Sequence, residues 1–285
     1  APVWCHFATG ETLSMLCPVG CRMDLEIEGN AALVTASSSG LGKASAKALA
    51  REGVDVVLNG RDEDRLADAR ADVEDVATGE VVTQPGDLTE ADDTEAMIER
   101  TVEEFGTVDH LVTSAGGPPS GAFLDTDDDD WYEAYDLLVM SAVRLAREAQ
   151  PHLEAGEETG TIVNITSRSV KEAIDDLVLS NSVRMGVIGL EKTLSKEFAP
   201  EVRSNAVLPG PHETSRIQDL VNQAVDRGEY DSYEEGIKNW ASNPLGRTGD
   251  PMELGDTVAF LSSPRSGFIN GETVTIDGGA SGSNL

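Results

Sequence analysis

The chain has 285 residues, enough for one large α/β domain, and 39% of them are apolar, more than a disordered chain of this charge would hold. Asp plus Glu number 52 against 21 Lys plus Arg, a net charge of −31 that repels phosphate backbones and argues against nucleic acid as a partner. No apolar run is long enough for a membrane-spanning helix, so no membrane partner is expected.

The chain opens on a segment unlike the rest. Residues 1–22 hold all three cysteines (Cys5, Cys17, Cys21) and one acid, Glu11. They lack a basic stretch ahead of an apolar run, which is not the pattern of a secretory signal. Cys17 and Cys21 lie near His6 in sequence, but a zinc site needs a second matched pair, and no metal is expected. Met23 opens the acidic composition of the body. The break predicts that Met23 is the natural start and that residues 1–22 lie outside the fold. A body without cysteine suits a reducing, cytoplasmic compartment.

From Asn30 onward, short apolar runs alternate with helical segments. Ala31–Val34 reads as a strand buried on both faces. Gly40–Glu52 reads as a helix stopped by Gly53. Val54–Leu58 is the second strand and Arg61–Val76 an acidic amphipathic helix. Glu80–Thr83, Glu90–Phe105 and Asp109–Thr113 continue the alternation. Asp129–Leu153 reads as one long helix, Gly160–Ile165 as the fifth strand, Leu179–Phe198 as a second long helix, Val202–Val207 as the sixth strand and Thr273–Ile276 as the last. The pattern predicts a single Rossmann-type, doubly wound parallel sheet of about seven strands with helices on both faces, spanning residues 23–285. Residues 211–247 form the one long excursion without a strand and are expected to be a lid. The run Asp127–Asp130 reads as solvated surface. Only six lysines accompany fifteen arginines; scarce lysine with a uniform acid excess predicts a protein of a halophilic cytoplasm, where salt screens the repulsion.

Motifs sit at the strand ends. The first strand runs into Thr35-Ala36-Ser37-Ser38-Ser39-Gly40-Leu41-Gly42 and then a helix. Such a turn lets backbone N–H groups and the helix dipole meet a pyrophosphate. The second strand ends at Asn59-Gly60-Arg61. No acid stands where ribose hydroxyls would need an acceptor, and Arg61 offers a fork for a 2′-phosphate, which favours NADP(H) over NAD(H). Alternatively, Arg61 pairs with Asp62 or Asp64.

These features resemble the short-chain dehydrogenase/reductase family over about residues 23–279, nearest to 3-oxoacyl-carrier-protein reductase-like members. Ala36 stands for the first glycine of the family's Thr-Gly-x-x-x-Gly-x-Gly. Asp87-Leu88 matches the pair at the adenine, Ser114-Ala115-Gly116 the Asn-Ala-Gly motif, and Pro209-Gly210 with Thr214 the Pro-Gly-x-x-x-Thr at the nicotinamide. Leu245-Gly246-Arg247 and Ile276-Asp277-Gly278-Gly279 match the C-terminal run. The resemblance thus implies cofactor contacts from Ala36, Ser38, Ser39, Gly40, Leu41, Gly42, Arg61, Asp87, Leu88, Ser114, Ala115, Gly116, Arg184, Pro209, Gly210 and His212.

The family's catalytic Asn, Ser, Tyr and Lys are mostly replaced. Ser167 matches the serine. Ser180 falls at the tyrosine, Arg184 at the lysine and Leu138 at the asparagine, giving a Ser-Asn-x-x-Arg signature. A serine hydroxyl is a shorter and weaker acid than tyrosine, and an arginine stays charged and relays no protons. Ser167, Ser180 and Arg184 are the expected catalytic set, with His212, Tyr230 and Tyr233 as other candidate proton donors. The expected function is NADP(H)-dependent hydride transfer on a small carbonyl or alcohol. The alternative is a non-catalytic dinucleotide-binding sensor or structural subunit. The resemblance also implies pairing of the two long helices into dimers or tetramers.

Overall fold

The computed structural model describes residues 23–156 and 159–283. The expected extension at residues 1–22, with its cysteines, lies outside the described residues. Seven strands form one parallel sheet in the order β3-β2-β1-β4-β5-β6-β7. They are β1 Ala31–Val34, β2 Asp55–Gly60, β3 Val81–Pro85, β4 His110–Thr113, β5 Gly160–Ile165, β6 Val202–Pro209 and β7 Thr273–Ile276. β1 pairs with β2 on one side and with β4 on the other. The strand order therefore reverses beside β1, the point at which open α/β sheets form a crevice at their carboxyl ends.

The strands are mostly apolar because both faces are covered, and the buried polar residues Asn59, His110 and Arg203 within them are hydrogen-bonded. Along β1, Ala32 and Val34 pack into one core cluster while Leu33 packs into the other. β2 does the same with Val56 and Leu58 against Val57. Each face thus receives alternate residues of every strand. Burial of each such side chain contributes about 1.5–3 kcal/mol. Helix α1 (Gly40–Arg51) covers the first face and α3 (Ala91–Phe105) the second. Between them in sequence, α2 (Glu63–Glu74) starts at an Asp62 side chain that accepts from the Arg65 N–H at 2.9 Å.

Two stretches differ from the expectation. The helix expected over 129–153 is α4 (Asp128–Tyr135), one wide π turn (Asp136–Met140) and α5 (Ser141–Ala155). Residue Leu138 lies in that π turn and is buried. The π turn keeps the chain helical, and its residues Asp136-Leu137-Leu138-Val139-Met140 include no glycine or proline that would mark a break. The strand-free excursion holds two helices, α7 (Ser215–Asp226) and α8 (Tyr233–Trp240), which follow α6 (Val178–Glu197) and β6. A further helix, α9 (Pro251–Ser262), was not expected. Its start was legible nonetheless: Asp250 and Glu253 form a reciprocal capping box, with Pro251 at the first position. α9 packs on α1 so closely that a Cβ on Gly255 would run into the Ala44 carbonyl.

Candidate active site

The turn between β1 and α1 is built by close backbone approach. Ala36 adopts φ +45°, the left-handed region in which the family pattern has glycine. Its N–H donates to Asn59 Oδ1 at 3.1 Å. Asn59 is buried and donates onward to the carbonyls of Gln84 and Gly86, so one amide ties the ends of β1, β2 and β3 together. A Cβ on Gly42 would stand 2.5 Å from the Ala36 carbonyl oxygen, which only glycine avoids. Ser39 precedes α1 without capping it by its side chain, and no acid lies in the first turn. The N–H groups of that turn have no intrahelical acceptor and face the cleft with the positive dipole end. This is an anion cradle, and it fits a dinucleotide pyrophosphate.

At one end of the cleft lies the tip of β2. Gly60 stands where an acceptor for ribose would be, close against Ser38. Arg61 is exposed and approaches Asp87 at 3.5 Å; it pairs with neither Asp62 nor Asp64. The Asp87 carboxyl is held below its usual range by the Thr89 backbone N–H, with Arg61 adding to the effect. Arg65, one turn along, donates to Ser39 Oγ at 3.4 Å. Arg61 and Arg65 thus both line this end of the cleft, Arg65 at Ser39 and Arg61 at Asp87.

The middle of the cleft is floored by the ends of β1 and β4. Thr35 Oγ1 donates to the Ser114 carbonyl at 2.7 Å and accepts the Ser114 N–H at 2.9 Å, a reciprocal tie that fixes Ser114-Ala115-Gly116 beside the β1–α1 turn. Across from it, Gly210 follows β6, and a Cβ there would meet Asp277 at 2.6 Å. His212 also lines the cleft, but it is buried against Gly249 with Nδ1 3.0 Å from the Gly210 carbonyl. Tyr230 and Tyr233 are not among the lining residues.

At the other end, β5 delivers Ser167 and α6 delivers Ser180 and Arg184. Ser167 Oγ accepts the Ser169 N–H at 3.1 Å, leaving its own proton for a further acceptor. Ser180 is buried, with Oγ 3.2 Å from Ser169 Oγ. Arg184 Nε donates to Ser180 Oγ at 3.2 Å, and its Nη2 donates to the Gly116 carbonyl. Burial, and then the charge of Arg216, lowers the Arg184 pKa to about 10, so the group remains a cation at neutral pH. Asn181, between the two, pins the loop ahead of α6: its amide accepts from the Ile174 N–H and donates to the Ile174 carbonyl.

Every expected site residue borders one cleft of about 970 Å³, from Arg61 at one end to Ser167, Ser180 and Arg184 at the other. Ile217 and Leu220 of α7 and Trp240 of α8 complete the wall. Sequence reading missed four contributors. Arg65, Arg168 and Arg216 line the cleft, and Ser169 bridges Ser167 and Ser180. Arg65 lay one helical turn beyond Arg61, and Ser169 two residues beyond Ser167, and both spacings were readable. Nothing in the sequence placed Arg216 near Gly117.

The family model described as enoyl-(acyl carrier protein) reductase matches residues 35–281, the stretch from the β1–α1 turn through the last strand. The chain belongs to the short-chain dehydrogenase/reductase family. It is an oxidoreductase of that family, similar to 3-oxoacyl-acyl-carrier-protein reductase from Synechocystis at 34% identity over 87% of this chain and 95% of the relative. Among solved structures, this short-chain dehydrogenase/reductase resembles L-sorbose reductase from Gluconobacter frateurii, solved with NADPH and L-sorbose. The TM-score is 0.86 at 28% identity, covering 92% of this chain and 100% of the other. It also resembles an actinorhodin polyketide ketoreductase solved with NADPH, with a TM-score of 0.83 at 29% identity over 89% and 98% of the two chains.

Proposed function

We propose that this protein is an NADP(H)-dependent reductase or dehydrogenase of a small carbonyl or alcohol. The observation that carries the cofactor preference is that Arg61 and Arg65 both line the cleft at the β2 tip, Arg65 bonded to Ser39, with Gly60 where an acid would otherwise meet the ribose. A 2′-phosphate fits two guanidiniums and is repelled by a carboxylate. The α1 N-terminus would hold the pyrophosphate, Asp87 and Leu88 the adenine side, and Ser114-Ala115-Gly116 with Pro209-Gly210 the nicotinamide side. His212 supports that last turn from behind. When bound, the nicotinamide supplies or accepts the hydride.

The chain's own groups handle the substrate oxygen. Ser167 donates its free hydroxyl proton to it. Ser180, whose oxygen already accepts from Arg184, presents its proton to the same oxygen with a buried cation behind it. Negative charge developing on that oxygen is stabilised by two preset donors and one fixed positive charge. Arg184 also anchors the nicotinamide ribose, because a guanidinium has donors to spare beyond Ser180 and Gly116. The helices at 211–247 act as a lid, bringing Trp240 over the cleft to exclude water. Residues 23–283 serve as one catalytic unit, working in a saline cytoplasm as a dimer or tetramer.

The test is turnover of NADPH against a panel of carbonyls in molar KCl, beside calorimetric titration with NADPH and NADH. Hydride transfer, with NADPH bound at least tenfold tighter, is expected. No transfer to any carbonyl would sink the enzyme reading, and equal affinities would sink the NADP(H) reading. Light scattering in the same salt checks the assembly.

A further inference from the structure

The cleft is unusually cationic for so acidic a chain. Five of its lining residues are arginines, though the whole chain has 21 basic residues against 52 acids. Two, Arg61 and Arg65, sit at the β2 tip. The other three, Arg168, Arg184 and Arg216, lie toward the end that holds Ser167 and Ser180.

Arg168 and Arg216 have no assigned task, and Arg216 has the better-defined geometry. It stands at the start of α7, and its guanidinium lies along Gly117, with Nε 3.2 Å from where a Cβ there would be. Nη2 donates to the Pro118 carbonyl at 2.8 Å. Arg184 donates to the Gly116 carbonyl of the same loop, so two guanidiniums share three successive residues. Among the described residues, neither arginine has a carboxylate within 4.0 Å, although Asp219 on the next turn partly offsets Arg216. Arg168 has a 3.8 Å contact with Glu172 and also acts on the Asp277 carboxylate from farther off. Two like charges drawn together, half to fully buried and unpaired, cost free energy unless an anion joins them. Thr214, two residues before Arg216, packs beside Gly40 of the pyrophosphate cradle, while the Arg216 guanidinium itself lies at Gly117 and Pro118. Pro118 takes one of its five N–H groups, leaving the planar fork to grip a second planar group.

We propose that the substrate is an oxo acid or hydroxy acid whose carboxylate is bound by Arg216, with Arg168 adding positive field. This rests on the reading of the cleft as an oxidoreductase site with Ser167 and Ser180 at the reacting oxygen. In a chain of net charge −31, a local cationic pocket is also what lets an anionic substrate approach at all. The contact is half-buried, so molar salt weakens it less than it weakens a surface pair.

The test compares matched 2-oxo and 3-oxo acids with their methyl esters, using the full chain and NADPH in molar KCl. An acid is expected to exceed its ester in kcat/KM by about tenfold or more. Arg216→Gln should collapse that acid-to-ester ratio at least tenfold through KM, and Arg216→Lys should recover part of it. Equal turnover of acids and esters in the unaltered protein overturns the proposal. So does a ratio that survives Arg216→Gln. If that variant instead weakens NADPH binding and leaves the ratio alone, Arg216 serves a cofactor phosphate and the proposal falls. Binding of the same acids to the NADP+-loaded protein is measured by calorimetry alongside. Acids that bind through Arg216 without turnover would uphold the carboxylate site while defeating the enzyme reading; acids that do not bind at all would defeat the site.

Discussion

Arg184 and Ser180 lie one helical turn apart on α6, and Arg184 Nε donates to Ser180 Oγ across 3.2 Å. That bond puts a cation directly behind a buried hydroxyl lining the cleft and joins the two residues into one unit. Arg184→Ala is expected to weaken NADPH binding about tenfold or more, since a charged hydrogen bond to ribose carries about 1.5–3 kcal/mol. Ser180→Ala and Ser167→Ala should lower single-turnover hydride transfer about a hundredfold with little change in that affinity. Titration calorimetry beside stopped-flow kinetics separates the two effects; unchanged affinity in Arg184→Ala would refute the anchoring role.

Under the proposed NADP(H) preference, Arg61 and Arg65 would share the 2′-phosphate. Replacing either with Ala should weaken NADPH binding about tenfold while leaving NADH binding nearly unchanged, because NADH has no 2′-phosphate to lose. A parallel loss for both cofactors would place these arginines on the shared part of the dinucleotide.

Ala36 is held at φ +45°. Ala36→Gly removes the Cβ from a left-handed position and should stabilise the fold by about 1 kcal/mol, offset in part by greater freedom of the unfolded chain. In a chain of this size that is a rise of about 2–3 °C in Tm. A fall in Tm would show that the Ala36 methyl packs usefully in the turn.

Glu191 on α6 is 1% exposed, with one carboxylate oxygen unpaired. Burial raises its pKa to about 7, against a lowering from Lys192 and a further raising from Glu272. The folded state therefore holds a proton that the unfolded state releases near pH 4. Stability contributed by protonated Glu191 is complete below the unfolded pKa and is lost as pH climbs through about 7. The difference in unfolding free energy between Glu191→Gln and the parent should grow in the variant's favour between pH 5 and pH 8. A flat difference across that range would show Glu191 ionised in the fold.

The net charge of −31 predicts that Tm falls as KCl is withdrawn, because repulsion among exposed carboxylates is no longer screened. Differential scanning calorimetry from molar to millimolar salt measures it. An unchanged Tm would remove the halophilic reading.

Sequence alone determined the parallel α/β sheet, because strands covered on both faces hold short runs of consecutive apolar residues while their connecting helices are apolar on one stripe. It located the dinucleotide turn, since Gly42 is forced by the Ala36 carbonyl and a helix must begin beside it. It also named Ser167, Ser180 and Arg184 as candidates, and the fold brings all three to the lining of one cleft. Local periodicity was blind to the π turn at 136–140, because four successive apolar residues, Leu137 to Met140, show no single stripe whose phase could be seen to shift. Only the tertiary structure brought Arg216 of α7 to the Gly116–Pro118 loop some hundred residues earlier, and Arg65 to Ser39. Those contacts depend on which strands neighbour each other at the switch beside β1. That neighbourhood is a property of the whole packed sheet, and no stretch of the chain encodes it locally.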